Sequence, residues 1–217
     1  MEYKRSIDVI NLNPIPLATI SFSEDIVTQE DIKVFEKIKL LKHFETDVML
    51  SASGNILEQD EFNHIRNKFD EAVNYYLKKL LHVTNNFKMV NSWLTMNKKG
   101  SRHPKHKHFN TIVSAVTYFN EDCSKDPVSG IFFEGEGLDS IFRDFRFDYS
   151  VNEGNNYNAK GWTIFPKVND IIVFPGWVNH ASIPNNFEKN RYCIGVNYFL
   201  NDTLGVEHHY NKIKIDV

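Results

Sequence analysis

A mainly β chain, with helices flanking its first part, is what this sequence predicts. Its strands would close into a sandwich or barrel, of which the antiparallel double-sheet jelly roll is one form. Three observations carry this. From Phe87 onward, short β-rich runs follow one another, punctuated by Gly, Pro, Asn and Asp. Aromatics make up 13% of the chain, 17 Phe among them, which favours β structure and a bulky core. The 217 residues are 41% apolar and 24% charged, which suits one domain with a full core rather than a disordered chain.

The elements follow in order. Residues 7–12 and 15–22 read as short strands separated by the turn Asn13-Pro14-Ile15-Pro16. Thr28, with Asp31 three positions on, forms a loose capping box. Ile32, Phe35, Ile38 and Leu41 follow it at helical spacing. A longer helix carries Phe62, Ile65, Phe69, Val73, Tyr76 and Leu80 on one apolar stripe, with Asp70, Glu71, Lys78 and Lys79 off it. Both helices are expected to pack on a sheet and to carry no chemistry. Candidate strands are 88–97, 103–108, 111–119, 129–134, 161–165, 170–174 and 191–199. Between them, Ser140–Asn158 is polar and aromatic and reads as a long loop or a lid over substrate, with Phe142, Arg143, Phe145, Arg146, Phe147, Tyr149 and Tyr157. The expected organisation is a single domain over 1–217. Residues 1–86 supply strands and supporting helices, 87–201 the β core and 202–217 a C-terminal tail.

Composition excludes several classes. A formal net charge of −3 argues against a general nucleic-acid binder, which would show a concentrated basic face. Cys123 and Cys193 are too few for a secreted disulfide scaffold and form no CxxC pair. The N-terminal MEYKRSIDVINLNPIP has no apolar signal core, and no apolar run approaches membrane-spanning length. The expectation is a soluble cytoplasmic chain with no membrane partner.

Of nine histidines, His43, His64, His82, His208 and His209 are read as surface or packing residues. His106 and His108 differ. They sit at i and i+2 in a segment read as entering a strand, so both imidazoles face one side and can share a metal ion. His103, just upstream, is a third candidate for either place. Downstream, the apolar strand Asp170–Phe174 runs through Pro175-Gly176 to His180, a histidine placed just past a strand end. Eleven positions after it, Arg191 opens the last strand. There Arg191, Cys193, Gly195 and Asn197 share one face, while Tyr192, Ile194, Val196 and Tyr198 share the other. The second face reads as core. The first is small and polar with one cation, which suits a ligand cavity, and arginine matches a carboxylate bidentately.

These residues resemble the 2-oxoglutarate/Fe(II) dioxygenase superfamily on its prolyl-hydroxylase-like side, nearest to the 2OG-Fe(II) oxygenases of bacteria and phages. The resemblance covers about Ser92 to Asn201. It rests on five elements in order: His106-Lys107-His108, the run Thr111–Asn120 containing Tyr118, Ser129–Phe133, Asp170–His180, and Arg191-Tyr192-Cys193. It implies a double-stranded β-helix with the N-terminal helices packed on one sheet. His106 and His180 would ligate iron. Arg191 would bind the distal carboxylate of 2-oxoglutarate, helped by Tyr118 on a strand face with Ile112, Ser114 and Val116. Cys193 stands where many members have Ser or Thr, and Met96 and Thr95 lie on a strand that often adds a co-substrate contact. One departure is that His108 stands where most members have Asp or Glu. It either ligates, giving a site of His106, His108 and His180, or leaves that position open; the first is expected. Glu134 is the alternative carboxylate.

The implied activity is a non-haem Fe(II)/2-oxoglutarate-dependent dioxygenase. It would convert 2-oxoglutarate and O2 to succinate and CO2 and hydroxylate a substrate, either a protein side chain or a metabolite. The alternatives are a three-histidine metal dioxygenase that uses no 2-oxoglutarate, and a non-catalytic jelly-roll binding module.

Overall fold

The computed structural model describes residues 14–43, 46–124, 129–142, 150–205 and 211–217. In chain order its elements are β1 (Ala18–Ser21), α1 (Gln29–Phe35), β2 (Leu40–Lys42), β3 (Met49–Ser51), α2 (Asn63–Tyr75), β4 (Phe87–Asn97) and β5 (Val113–Tyr118). These are followed by β6 (Ile131–Glu134), β7 (Gly161–Ile164), β8 (Asp170–Pro175), β9 (His180–Ser182), β10 (Arg191–Leu200), β11 (Thr203–Leu204) and β12 (Ile213–Lys214).

Seven strands form one sheet in the order β1-β8-β5-β10-β4-β3-β2, and β7-β6-β9 form a second. Pairing within both is antiparallel. The fold is the double-stranded β-helix. The central strands β5 and β8 bury both faces, and their alternation sorts side chains between two cores. Ile171 and Val173 of β8, Ala115 of β5 and Ile194, Val196 and Tyr198 of β10 join the helices in one apolar cluster. Ile172 and Phe174 of β8 and Val116 and Tyr118 of β5 turn the other way, to meet Ile131 and Phe133 of the small sheet. A residue's parity on the strand therefore decides which of two cores it enters.

The helices cover the outer face of the large sheet. Thr28 caps α1: its Oγ1 accepts from the Asp31 N–H at 3.2 Å, while Asp31 Oδ2 accepts from the Thr28 N–H at 2.7 Å. Phe62, Ile65, Phe69, Val73 and Tyr76 are each 1% exposed or less and form the predicted stripe of α2. Leu80, in the single π-turn Tyr76–Leu80 that ends the helix, is 48% exposed and leaves the stripe. Tyr198 on β10 donates to Asp70 Oδ1 on α2 at 2.6 Å, tying helix to sheet.

Three expectations change. The first helix stops at Phe35, and Leu41 lies instead on β2, paired with Leu50 of β3. There the ladder with β3 and β4 satisfies the backbone, and Leu41 is half exposed, so no further apolar turn is buried. Residues 103–108 are extended but form no strand. Pro104 lacks an N–H, so only an isolated pairing of His106 with His180 remains. The strand expected over 15–22 shortens to β1, which pairs with β8 and so belongs to the large sheet. Residues 7–12, Arg143 to Tyr149, His208 and His209 lie outside the described residues.

Among the described residues no helix is long and apolar enough to cross a membrane. Phe69 is fully buried beneath α2. Phe69→Ala is expected to cost about 3–5 kcal/mol of stability in urea unfolding, with the metal affinity of the folded protein unchanged.

Candidate metal centre

The centre is built where the two sheets meet at one end. Strand β8 runs out at Pro175, the turn through Gly176 and Trp177 reverses the chain, and His180 opens β9. The extended 103–108 segment lies beside β9. His106 N–H donates to the His180 carbonyl at 2.9 Å, and the His106 carbonyl accepts from the His180 N–H at 2.8 Å. Ser182 N–H donates to the His103 carbonyl at 3.1 Å, and His108 N–H to that of Gly176 at 2.9 Å. These backbone bonds bring three histidines from two distant segments together. The ring centroids of His106 and His180 are 4.3 Å apart, those of His108 and His180 5.0 Å, and those of His106 and His108 5.4 Å. One ring nitrogen from each lies within 4.8 Å of the others.

The remaining nitrogens define the tautomers. His106 Nδ1 lies 2.8 Å from the Pro104 carbonyl, and His180 Nδ1 lies 2.9 Å from the Val178 carbonyl. A carbonyl only accepts, so both Nδ1 atoms carry the proton and each Nε2 keeps its lone pair. His108 Nδ1 lies 2.8 Å from Asn197 Oδ1 and 2.7 Å from Ser114 Oγ. Ser114 itself donates to Asn197 Oδ1 at 2.8 Å, so Asn197 and Ser114 clamp His108 in the same tautomer. Oxygen partners of this kind orient metal-binding imidazoles and raise their basicity.

Electrostatics agree. Burial holds the imidazoles below their ordinary value: His180 falls to about 3, His108 to about 4, and His106 is also lowered. All three are neutral near pH 7, the form that binds a metal. His103 stands behind the set. Its ring meets His106 edge-on with centroids 4.0 Å apart, its Nδ1 is 2.9 Å from His106 Nδ1, and burial lowers it to about 3. His43, read as a surface residue, packs edge-on to His103 with centroids 5.6 Å apart. Glu134 does not enter the group: Lys105 Nζ and Asn179 Nδ2 donate to it at 2.7 and 2.9 Å. Among the described residues, the convergent donor set is three histidines and no carboxylate.

The histidines line one cavity with Arg191, Tyr118, Cys193 and Thr95. Arg191 is 1% exposed. Its Nη2 donates to the Ile183 carbonyl at 3.2 Å, but Nε and Nη1 have no partner among the described residues. Its guanidinium carbon sits 4.8 Å from the centre of the Tyr118 ring, so Tyr118 meets the cation with its face. No carboxylate among the described residues pairs with it. A buried cation with two unused donors costs several kcal/mol, and a ligand carboxylate would offset that. Burial raises the Cys193 thiol to about 11, so it is a neutral weak donor beside Thr95 rather than a nucleophile. Met96 is corrected. Trp93, Thr95 and Asn97 take the cavity face of β4, and Met96, of opposite parity, turns away to pair in register with Tyr192 and Met49. Ile112 is also outside the cavity wall; it precedes β5 and is 40% exposed. Trp93, Asn97 and Ser182 line the cavity without having been singled out in the sequence. For Trp93 and Asn97 the signal was there, in their shared parity with Thr95.

The donor set fits a divalent metal, and the arginine fits a small dicarboxylate. The buried histidines also set a pH dependence. Their folded values lie below the unfolded value of about 6.5, so the unfolded chain takes up more protons as pH falls. The metal-free protein is therefore expected to be unaffected by these groups above about pH 6.5 and to lose stability progressively between 6.5 and 4. His103→Gln should flatten that slope in urea unfolding series; an unchanged slope would show that His103 ionises as freely as in the unfolded chain.

Residues 91–197 match the family described as "Putative 2OG-Fe(II) oxygenase". None of the curated proteins matches the chain. Among solved structures the fold is similar to a 2OG-Fe(II) oxygenase family oxidoreductase from Burkholderia pseudomallei, with TM-score 0.54 and 9% identity over 83% of each chain. It is similar to a Pseudomonas putida prolyl-4-hydroxylase, with TM-score 0.52 and 11% identity over 85% of this chain and 92% of that one. It also resembles HygX from Streptomyces hygroscopicus, solved with nickel and 2-oxoglutarate bound, with TM-score 0.52 and 10% identity over 85% and 82%. The matched segment holds His106, His108 and His180, and the double-stranded β-helix around them is the fold of these structures: over residues 91–197 the chain is similar to the 2OG-Fe(II) oxygenases, a family of oxidoreductases.

Proposed function

We propose that this chain is a non-haem Fe(II)/2-oxoglutarate-dependent dioxygenase that hydroxylates its substrate, with His106, His108 and His180 holding the metal and Arg191 holding the far carboxylate of 2-oxoglutarate. The observation that carries the reading is the buried guanidinium with two unused donors, in the same cavity as three converging neutral imidazoles. When bound, iron and 2-oxoglutarate supply the coupling of O2 reduction to decarboxylation of the keto acid and oxidation of a substrate C–H bond.

The protein's own residues do the positioning. The Pro104 and Val178 carbonyls and the Ser114–Asn197 pair hold the three rings with Nε2 free. Tyr118 and the Ile183 carbonyl hold the guanidinium while leaving its other donors for a carboxylate. Phe133 and Phe174 pack their rings on His180 and exclude water from that side. Because His108 replaces a carboxylate, the ligand set is neutral and the metal keeps its full charge, which favours anionic co-ligands such as a keto acid.

The second reading, a three-histidine dioxygenase without 2-oxoglutarate, is favoured by the missing carboxylate and makes the opposite prediction for Arg191. Fe(II) and 2-oxoglutarate added to the protein without oxygen are expected to give a visible charge-transfer band that needs both. His180→Ala should abolish iron binding and the band. Arg191→Ala should retain iron but weaken 2-oxoglutarate at least ~100-fold, as for loss of a buried charge-assisted pair. Iron binding with no band, and indifference to Arg191→Ala, would select the second reading. Absence of iron binding would leave a binding module.

A further inference from the structure

Resting on the co-substrate reading above, we propose that Trp93 is a second anchor for the keto acid: its indole N–H donates to the carboxylate at the metal end, opposite the end held by Arg191.

The cavity face of the large sheet is a ladder of paired residues. Asn97 stands across from Arg191, Thr95 from Cys193, and Trp93 from Gly195. Trp93 is thus two rungs from Arg191, next to the rung of Asn197, which holds His108 Nδ1 at 2.8 Å. Its ring meets that of His108 edge-on, with centroids 5.3 Å apart and planes at 77°. This contact fixes the indole plane next to a proposed ligand.

Gly195 makes the placement possible. A Cβ there would lie 2.5 Å from Trp93 Cζ2, 2.6 Å from Cε2 and 3.1 Å from Nε1, so the indole rests directly on the glycine backbone. Gly195 does not have a positive φ. The glycine is therefore required for room and not for backbone conformation. The small cavity face of β10 exists, at this rung, to admit the tryptophan.

The indole nitrogen is the remaining feature. Trp93 is half-buried and lines the cavity, yet its N–H has no hydrogen-bond partner among the described residues. Tryptophan N–H groups in such settings usually find an acceptor. The neighbouring amide oxygen of Asn197 is already engaged by Ser114 and His108. A pure wall would need only an apolar ring; a donor-bearing ring on the wall of a cavity that also holds Arg191, with two donors unused, fits an anionic ligand with a carboxylate at each end.

The test uses the full chain without oxygen, loaded with Mn(II) as a redox-inert metal and titrated with 2-oxoglutarate by calorimetry and indole fluorescence. Trp93→Phe is expected to raise the Kd for 2-oxoglutarate about tenfold, the scale of one hydrogen bond to a charged group, with Mn(II) affinity within twofold of wild type. The fluorescence change on adding 2-oxoglutarate should persist in Trp162→Phe and Trp177→Phe and vanish in Trp93→Phe. Gly195→Ala, which displaces the indole but keeps it, should also weaken 2-oxoglutarate while retaining Mn(II). Wild-type affinity for 2-oxoglutarate in Trp93→Phe, with Arg191→Ala still defective, overturns the Trp93 anchor alone. Loss of Mn(II) binding in Trp93→Phe also overturns it, because the ring would then serve His108. Failure of the Mn(II)-loaded wild-type protein to bind 2-oxoglutarate overturns this proposal together with the co-substrate reading.

Discussion

The alternation of β10 is the constraint on which the rest depends. This strand lies in the middle of the seven-stranded sheet, paired with β5 on one side and β4 on the other. Its even positions enter the helix-covered core, and Arg191, Cys193 and Gly195 face the cavity. A shift of one residue would bury Tyr192 and Ile194 in the cavity and turn the Arg191 guanidinium onto the helix-covered face, where Tyr192 now stacks on Phe119, so packing and site share a single register. The register shift between Asn197 and Tyr198 comes after Asn197, the residue that holds His108, where a bulge re-aims the strand. The Tyr198–Asp70 bond then secures the strand to the helix layer.

The histidine cluster is held chiefly by backbone. His106 and His180 belong to segments far apart in sequence, yet each donates a main-chain N–H to the other's carbonyl. Their rings are then aimed by carbonyls only two residues upstream, Pro104 and Val178. His108 is different: its orientation depends on the side chains of β5 and β10, through Ser114 and Asn197. His108, which stands where the resemblance expects a carboxylate, is thus the one whose orientation is written into the large sheet. Four neighbouring imidazoles without a carboxylate could coexist only as neutral rings, and burial ensures that they are.

Arg191 shows the exchange of stability for binding. The fold buries a cation and leaves two of its donors without partners among the described residues. Tyr118 and the Ile183 carbonyl offset only part of that cost. A ligand carboxylate that completed the pairing would stabilise the protein and be held tightly for the same reason. The outer core, with Phe69 and its neighbours beneath α2, provides the apolar burial that tolerates such a residue.

The sequence by itself determined the fold class, the parity of β10 and the identity of the histidines that converge, because period-2 patterning and the order of His106, His108, His180 and Arg191 are local properties of the chain. It also determined the capping box of α1 and the buried stripe of α2, which need only neighbouring residues. Tertiary structure alone decided what those residues meet. That Leu41 joins a strand, that His106 pairs with His180 through an isolated bridge, that Glu134 is drawn off by Lys105 and Asn179, and that Met96 turns from the cavity while Trp93 rests on Gly195 all depend on partners outside the local stretch of chain. No local pattern encodes such partners; they are chosen by backbone hydrogen bonds and by the room that side chains leave once the two sheets have closed.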